Sequence, residues 1–378
     1  MRKLLPVLAS FLTLPVLFAA EPAGSLTAAV QPFVDRHELA GAVMLVADKD
    51  KVLDVETAGF ADIAANKAMT SDAVFWIASQ SKAMTASALM MLVDEGKVKL
   101  DDAVEKYLPE FKGQMVAVER DEEHVLLKKP VHPITVRNVL SHTSGIPFST
   151  PVENPTLDML PLRVAVRSYA MTPLQFQPDS KYQYSNAGIN TAARIVEVVS
   201  GKSYEEFMQT RLFEPLGMKD TTFHPNAAQI ARIAKGYKPN AAKNGLEEAP
   251  IGQLHYPLDE PSRQPMPAGG LFSTAADVTR FCQMLLNGGE FAGHRVLSEA
   301  AVKEMTSRQT APTLKESYGF GLSVSPDSFG HGGAYATNMT ISPKHGIVTI
   351  WMIQHAGFPG EGGKAQGAFN AAAAKFGK

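Results

Sequence analysis

The sequence predicts an α/β protein of the α+β type, in which one antiparallel sheet collects strands from both ends of the chain and helices flank it. Three observations carry this expectation: apolar runs bounded by turns near both ends, helical stretches with clear stop signals between them, and no internal repeat. Composition sets the outer limits. The 378 residues allow one large domain or two ordinary ones, and 45% hydrophobic residues is too rich for a disordered chain. With 36 Lys and Arg against 38 Asp and Glu the formal charge is −2, and no long basic run offers a footprint for nucleic acid. Cys282 is the single cysteine, so neither an internal disulfide nor a cysteine-rich metal framework can form.

In chain order, residues 1–20 read as an export signal: Arg2 and Lys3 precede an apolar run from Leu4 that ends in the small residues Ala19 and Ala20. The alternative is a membrane anchor, but this run, interrupted by Pro6 and Pro15, falls short of the about 20 apolar residues that a spanning helix needs. The expectation is a periplasmic or secreted protein with no stable membrane span once the signal is removed. Residues 41–47 and 52–58 flank the turn 48–51 as an antiparallel hairpin. Helices are expected over 79–95, stopped by Gly96; over 187–200, stopped by Gly201; over 203–211, stopped before Pro215; and over 275–286, stopped by Asn287-Gly288-Gly289. The charged stretch 116–129 reads as an exposed hairpin, and the proline-rich stretch 257–267 as a loop returning the chain to the sheet. Residues 318–324, 334–341 and 346–354 read as three further strands, the last pair joined by a turn at 342–345. Cys282, beside Phe281 and Met284 on a helix, reads as core.

Chemistry enters at Ser79-Gln80-Ser81-Lys82. A spacing of three at a helix start puts the serine and lysine side chains on one face, and the helix N-terminus favours negative charge there. A nucleophilic serine needs a base close by, which a desolvated lysine can supply. The plainer alternative is a capping serine with an exposed lysine. Tyr184-Ser185-Asn186 stands where a loop runs into a helix, able to hold a phenol and an amide toward a cleft; alternatively the tyrosine packs on the core and Asn186 caps the helix. His331-Gly332-Gly333 precedes an expected strand, and its glycines allow close approach of a ligand to the backbone; alternatively it is a glycine-rich turn.

In this order and spacing the three elements resemble the motifs of the serine β-lactamase and penicillin-binding-protein superfamily. Val139-Leu-Ser-His-Thr-Ser-Gly145, Phe213-Glu-Pro-Leu-Gly-Met218 and Ala268-Gly-Gly-Leu-Phe-Ser-Thr274 are similar to the branch that holds class C β-lactamases, D-aminopeptidases and related carboxylesterases. The resemblance spans roughly residues 26–356. It implies a catalytic domain over 21–378, with an α/β part at about 21–78 and 268–378 and an inserted helical part at about 79–267. By the same resemblance, Ser79 attacks a carbonyl to form an acyl-enzyme, Lys82, Tyr184 or both take its proton, and Asn186 orients Lys82 and the substrate. The oxyanion is held by the N–H groups of Ser79 and Ala334, with Gly332 and Gly333 shaping the approach. Lys82 is expected to keep the Tyr184 phenol acidic by its positive charge. No cofactor or metal is required.

The third motif departs from the Lys-Thr-Gly of many relatives. His331 and Gly332 replace a fixed charge and a hydroxyl, and an imidazole is mostly neutral at pH 7. Weaker binding of carboxylate-bearing β-lactams and peptides is expected. Lys344-His345-Gly346 and His355-Ala356-Gly357 copy the motif's form but not its setting, and His142 reads as structural. The chain contains no G-x-S-x-G elbow, no H-E-x-x-H and no S-D-N. The leading expectation is an exported serine hydrolase of esterase or D-aminopeptidase type acting on a small-molecule or peptide substrate. A β-lactamase or D,D-carboxypeptidase is the second reading, and a binding or sensor protein without turnover the third.

Overall fold

The structure is a computed structural model and describes residues 25–378; the expected export signal lies outside the described residues. The chain enters through helix α1 (Leu26–Asp35) and then forms strands β1 (Gly41–Asp48), β2 (Val52–Asp62) and the short β3 (Lys67–Ala68). Helices α2 (Ser81–Asp94), α3 (Val136–Ser141), α4 (Leu162–Met171), α5 (Asn186–Ser200) and α6 (Ala275–Leu286) follow. The chain then returns through strands β4 (Ser323–Val324), β5 (Phe329–Gly332), β6 (Asn338–Ser342) and β7 (Ile347–Met352), and helix α7 (Ala365–Ala373).

The seven strands form one antiparallel sheet in the order β4-β5-β6-β7-β1-β2-β3, so the join between the two chain ends is the β7–β1 ladder, with Val43 opposite Met352 and Val46 opposite Thr349. Strand β1 is apolar from Gly41 to Ala47 because both faces are covered. Val43, Leu45 and Ala47 point into the main core with Phe281 and Cys282 of α6, while Met44 and Val46 point to the opposite side, against Leu26 and Val30 of α1 and Phe369 of α7. Among the described residues, no helix is long and apolar enough to cross a membrane.

The expected helices, the hairpin at 116–129 and the first strands stand close to where the sequence puts them, but the return strands are corrected. Only Ser323 and Val324 of the stretch 318–324 pair as strand. The rest is a buried loop, because Gly321 turns at φ 67° and a Cβ there would lie 2.5 Å from the Lys82 carbonyl oxygen. Residues 334–337 are a turn, with Ala336 at φ 64°, and the strand begins at Asn338. On the side away from β7, β6 pairs with β5, whose Phe-Gly-His-Gly sequence gives little strand signal; there His331 pairs with Met339 and Gly332 with Asn338.

Candidate active site

Ser79 stands in a single 3-10 turn, Ala78–Gln80, that runs directly into α2, rather than opening the helix itself. Ala78 sits at φ 45°, in the left-handed region that a residue with a Cβ enters at a cost. The turn leaves Ser79 partly open to solvent while Lys82, one helical turn on, is fully buried.

Three groups surround the Lys82 amine: Ser79 Oγ at 3.1 Å, Asn186 Oδ1 at 2.7 Å and the Ala268 carbonyl oxygen at 2.6 Å. No carboxylate is among them. Burial holds the ammonium form well below the usual lysine range, because nothing nearby compensates for lost hydration. A neutral amine has two N–H donors and one lone pair. In the neutral form that burial favours, the Asn186 and Ala268 oxygens, which only accept, take both donors and leave the lone pair for Ser79; as an ammonium, Lys82 donates to all three groups.

The Tyr184 ring centroid lies 4.7 Å from Lys82 Nζ. Burial drives its phenol well above the ordinary tyrosine value; a hydrogen bond with Ser79 offsets part of this and nearby Tyr182 adds to it. This corrects the expectation that Lys82 keeps the phenol acidic. Desolvation of the phenol dominates its shift. The capping expectation is corrected too: Ser185, not Asn186, caps α5, accepting from the Gly188 N–H at 2.9 Å while its own hydroxyl donates to the Pro147 carbonyl at 2.7 Å. Asn186 is thereby released to reach Lys82.

His331 lies near the end of β5, its ring centroid 6.0 Å from that of Tyr184. Its Nδ1 is 2.6 Å from the Gly332 carbonyl oxygen and its Nε2 3.0 Å from the Tyr318 hydroxyl. A carbonyl only accepts, so Nδ1 carries the proton and Nε2 accepts from Tyr318. Burial above all lowers its pKa to about 4, leaving a neutral ring with both nitrogens engaged. Gly333 follows, packed so closely that a Cβ would come within 2.7 Å of the Ile77 carbonyl oxygen and 2.2 Å of Thr337 Oγ1. The third motif thus seats on the backbone that leads into Ser79. Among the described residues, neither the Ser79 N–H nor that of the exposed Ala334 donates to a turn or loop carbonyl.

The structure therefore joins Ser79, Lys82, Tyr184 and Asn186 directly, and brings His331, Gly332 and Gly333 alongside. Lys344 stays in its exposed turn, paired with Asp327 at 2.9 Å, and buried His355 accepts the Ala40 N–H at 3.1 Å. Three neighbours were given no place in the site by sequence reasoning. Ala268 contributes only its backbone, and Tyr318 sits in the loop mistaken for a strand. His142 caps α3 at φ 63°, accepts the Ser185 N–H at 3.2 Å and packs with ring centroids 4.6 Å from Tyr184 and 4.8 Å from Tyr318. Its place beside the second motif is set by the fold alone.

Comparison with known proteins agrees with this geometry. Residues 26–373 match the Beta-lactamase family model, and the chain belongs to that family of serine hydrolases. It is 32% identical over 365 residues to protein Rv1367c of Mycobacterium tuberculosis (strain ATCC 25618 / H37Rv), covering 87% of this chain and 89% of that one. Among solved structures it resembles EstCE1, a hydrolase with promiscuous acyltransferase activity, with a TM-score of 0.76 at 23% identity, over 92% of this chain and 97% of that one. It also resembles the simvastatin synthase LovD from Aspergillus terreus, with a TM-score of 0.78 at 20% identity, over 94% and 98% of the two chains. At these identities the structural likeness establishes the fold.

Proposed function

We propose that the protein is an exported hydrolase that cleaves an ester or amide through an acyl-enzyme on Ser79, of esterase or D-aminopeptidase type. The observation that carries this reading is the Lys82 amine, fully buried, without a carboxylate in reach and 3.1 Å from Ser79 Oγ. The Ser79 oxygen bonds to the substrate carbonyl carbon as its proton passes to Lys82 Nζ, and the carbonyl electron pair moves onto oxygen. The N–H groups of Ser79 and Ala334 hold that oxyanion. When the carbonyl reforms, the bond to the leaving group breaks, and the departing alkoxide or amine takes the proton from Lys82 with the Tyr184 hydroxyl as the relay. Water then adds to the acyl carbon by the reverse proton path and frees the acid.

A neutral His331 with both nitrogens occupied offers no fixed charge to a substrate carboxylate. This favours substrates without a carboxylate beside the scissile bond. The pairing of hydrolysis with promiscuous acyl transfer in EstCE1 is in keeping with such an intermediate. The test sets the protein beside its Ser79→Ala variant on a short-chain p-nitrophenyl ester, a D-alanyl anilide and a chromogenic cephalosporin. Turnover of the ester or the anilide by the native protein, with the variant at background, is expected. Equal rates for both proteins would remove Ser79 from the chemistry, and preferential cephalosporin turnover would overturn the substrate assignment.

A further inference from the structure

Beyond the groups that touch Ser79, one chain of hydrogen bonds runs from Lys82 through the interior to a carboxylate on another part of the molecule. The Ala268 carbonyl accepts from Lys82 Nζ at 2.6 Å, and the Ala268 N–H donates to Asn190 Oδ1 at 3.1 Å. Asn190 Nδ2 donates to the Tyr169 hydroxyl at 3.0 Å, and that hydroxyl donates to Glu153 Oε1 at 2.6 Å. The other carboxylate oxygen, Glu153 Oε2, accepts the Thr150 N–H at 2.7 Å. Lys82, Ala268, Asn190, Tyr169, Glu153 and Thr150 are all at most 5% exposed. Every donor and acceptor in this path has its partner, and from Ala268 onward each donor points toward the carboxylate, so the bonds polarise one another in one direction.

The arrangement is more than core satisfaction because of where it ends. Asn186 and Asn190 are one turn apart on α5 and therefore share a face. The first holds Lys82 directly, and the second holds the backbone of the residue that supplies Lys82 with its other acceptor. The segment is fixed on a further side by Thr85 Oγ1, 2.8 Å from the Pro267 carbonyl oxygen. The Ala268 carbonyl, 2.6 Å from Nζ, fixes one of the directions in which the Lys82 amine donates.

We propose that Asn190, Tyr169 and Glu153 are positioning residues: they aim the Ala268 carbonyl at Lys82 and so hold the amine with its lone pair on Ser79. This rests on the acyl-enzyme reading above and adds to it a remote, fully buried support that no group touching the substrate supplies. The ionisable groups facing Lys82 itself are Tyr184, His142 and His331; those of the relay are Tyr169 and Glu153.

The test compares native protein, Tyr169→Phe, Asn190→Leu, their double variant, Glu153→Gln and Lys82→Met on a p-nitrophenyl ester across the pH range. Tyr169→Phe keeps the ring and removes only the hydroxyl at the centre of the path. We expect kcat/KM to fall about 10- to 100-fold in Tyr169→Phe and in Asn190→Leu, mostly in kcat, as misplacement far from the chemistry does. The double variant should lose no more than the worse single one, because both cut one path. The acid limb of kcat/KM should move to higher pH, since a loosened Lys82 admits water and regains its proton more easily. Glu153→Gln keeps an acceptor for the Tyr169 hydroxyl and should retain most of the native activity, unlike Tyr169→Phe. Native rates and an unmoved acid limb in Tyr169→Phe and Asn190→Leu, alongside an inactive Lys82→Met, would overturn the relay and leave the acyl-enzyme reading standing. Losses that multiply in the double variant with the limb unmoved would reduce these residues to stability and also overturn it. A fully active Lys82→Met would instead overturn the acyl-enzyme reading beneath it.

Discussion

Full burial with no carboxylate in reach disfavours the charged form of Lys82 and holds its pKa well below the usual lysine range. Lys82→Arg should therefore fail as completely as Lys82→Met, because a guanidinium cannot be deprotonated. Loss of a positioned base costs about 10²- to 10⁴-fold, read as kcat/KM on the preferred substrate. Tyr184 follows from the opposite shift. Burial raises its pKa, so the hydroxyl keeps its proton across the neutral and mildly alkaline range. Activity should show no loss from phenol ionisation up to about pH 9, and a basic limb near pH 7 belonging to Tyr184 would contradict this. The Ser79–Lys82 and Tyr184–Asn186 pairs were legible in the sequence because a helical spacing and a loop-to-helix junction fix which side chains meet. The direction of the Tyr184 shift was not, since it depends on how much protein surrounds the ring.

At the scale of elements, the site hangs on two local devices. Ser185 caps α5 and ties its start to Pro147, so Ser185→Ala should cost about 1 kcal/mol from the cap, more if the Pro147 carbonyl is left dry. Chemical denaturation measures this as a lower midpoint. Gly333→Ala meets a harder limit, because its Cβ would collide with the Ile77 carbonyl that leads into Ser79. The variant should lose activity well beyond its loss of stability, as the turn carrying Ala334 is pushed away from the serine. Element types were legible wherever an apolar or amphipathic stretch was long and clearly bounded, as in α2, α5, α6 and β1. The return of the chain was not: Gly321 and Ala336 take left-handed conformations that shorten the expected strands, and β5 hides in a glycine-rich run. His331 therefore stands within a strand, where the expectation placed it before one.

At the scale of the whole molecule, the loops that carry Asp158 and Arg263 are clipped together by a buried ion pair. Arg263 Nε donates to Asp158 Oδ2 at 2.8 Å with both side chains 1% exposed, and the Gln264 N–H donates to the Asp158 carbonyl at 2.6 Å. Removing one partner strands a buried charge, so Arg263→Met should cost about 3–5 kcal/mol, measured as a fall in unfolding free energy. The pH dependence of stability has a separate origin in buried His355, whose pKa is lowered to about 4, chiefly by burial. The unfolded chain binds more protons than the folded one between about pH 4 and 6.5, so this contribution is complete above 6.5 and is lost as pH falls toward 4. His355→Gln keeps an acceptor for the Ala40 N–H and removes the titration. Its stability should fall between pH 7 and pH 5 by about 2 kcal/mol less than that of the native protein. The gathering of both chain ends into one sheet was legible from the paired apolar runs. The clip between the loops was not, because Asp158 and Arg263 are far apart in sequence and carry no periodic signal.

The central claim is that Ser79 becomes covalently acylated, and intact-protein and peptide mass spectrometry after rapid acid quench with a p-nitrophenyl ester tests it most directly. The account predicts an initial burst of nitrophenol stoichiometric with enzyme, one acyl mass added to the peptide containing Ser79, and neither in Ser79→Ala. Turnover with no acyl group on Ser79 in native protein, or an adduct of equal yield in Ser79→Ala, would contradict it.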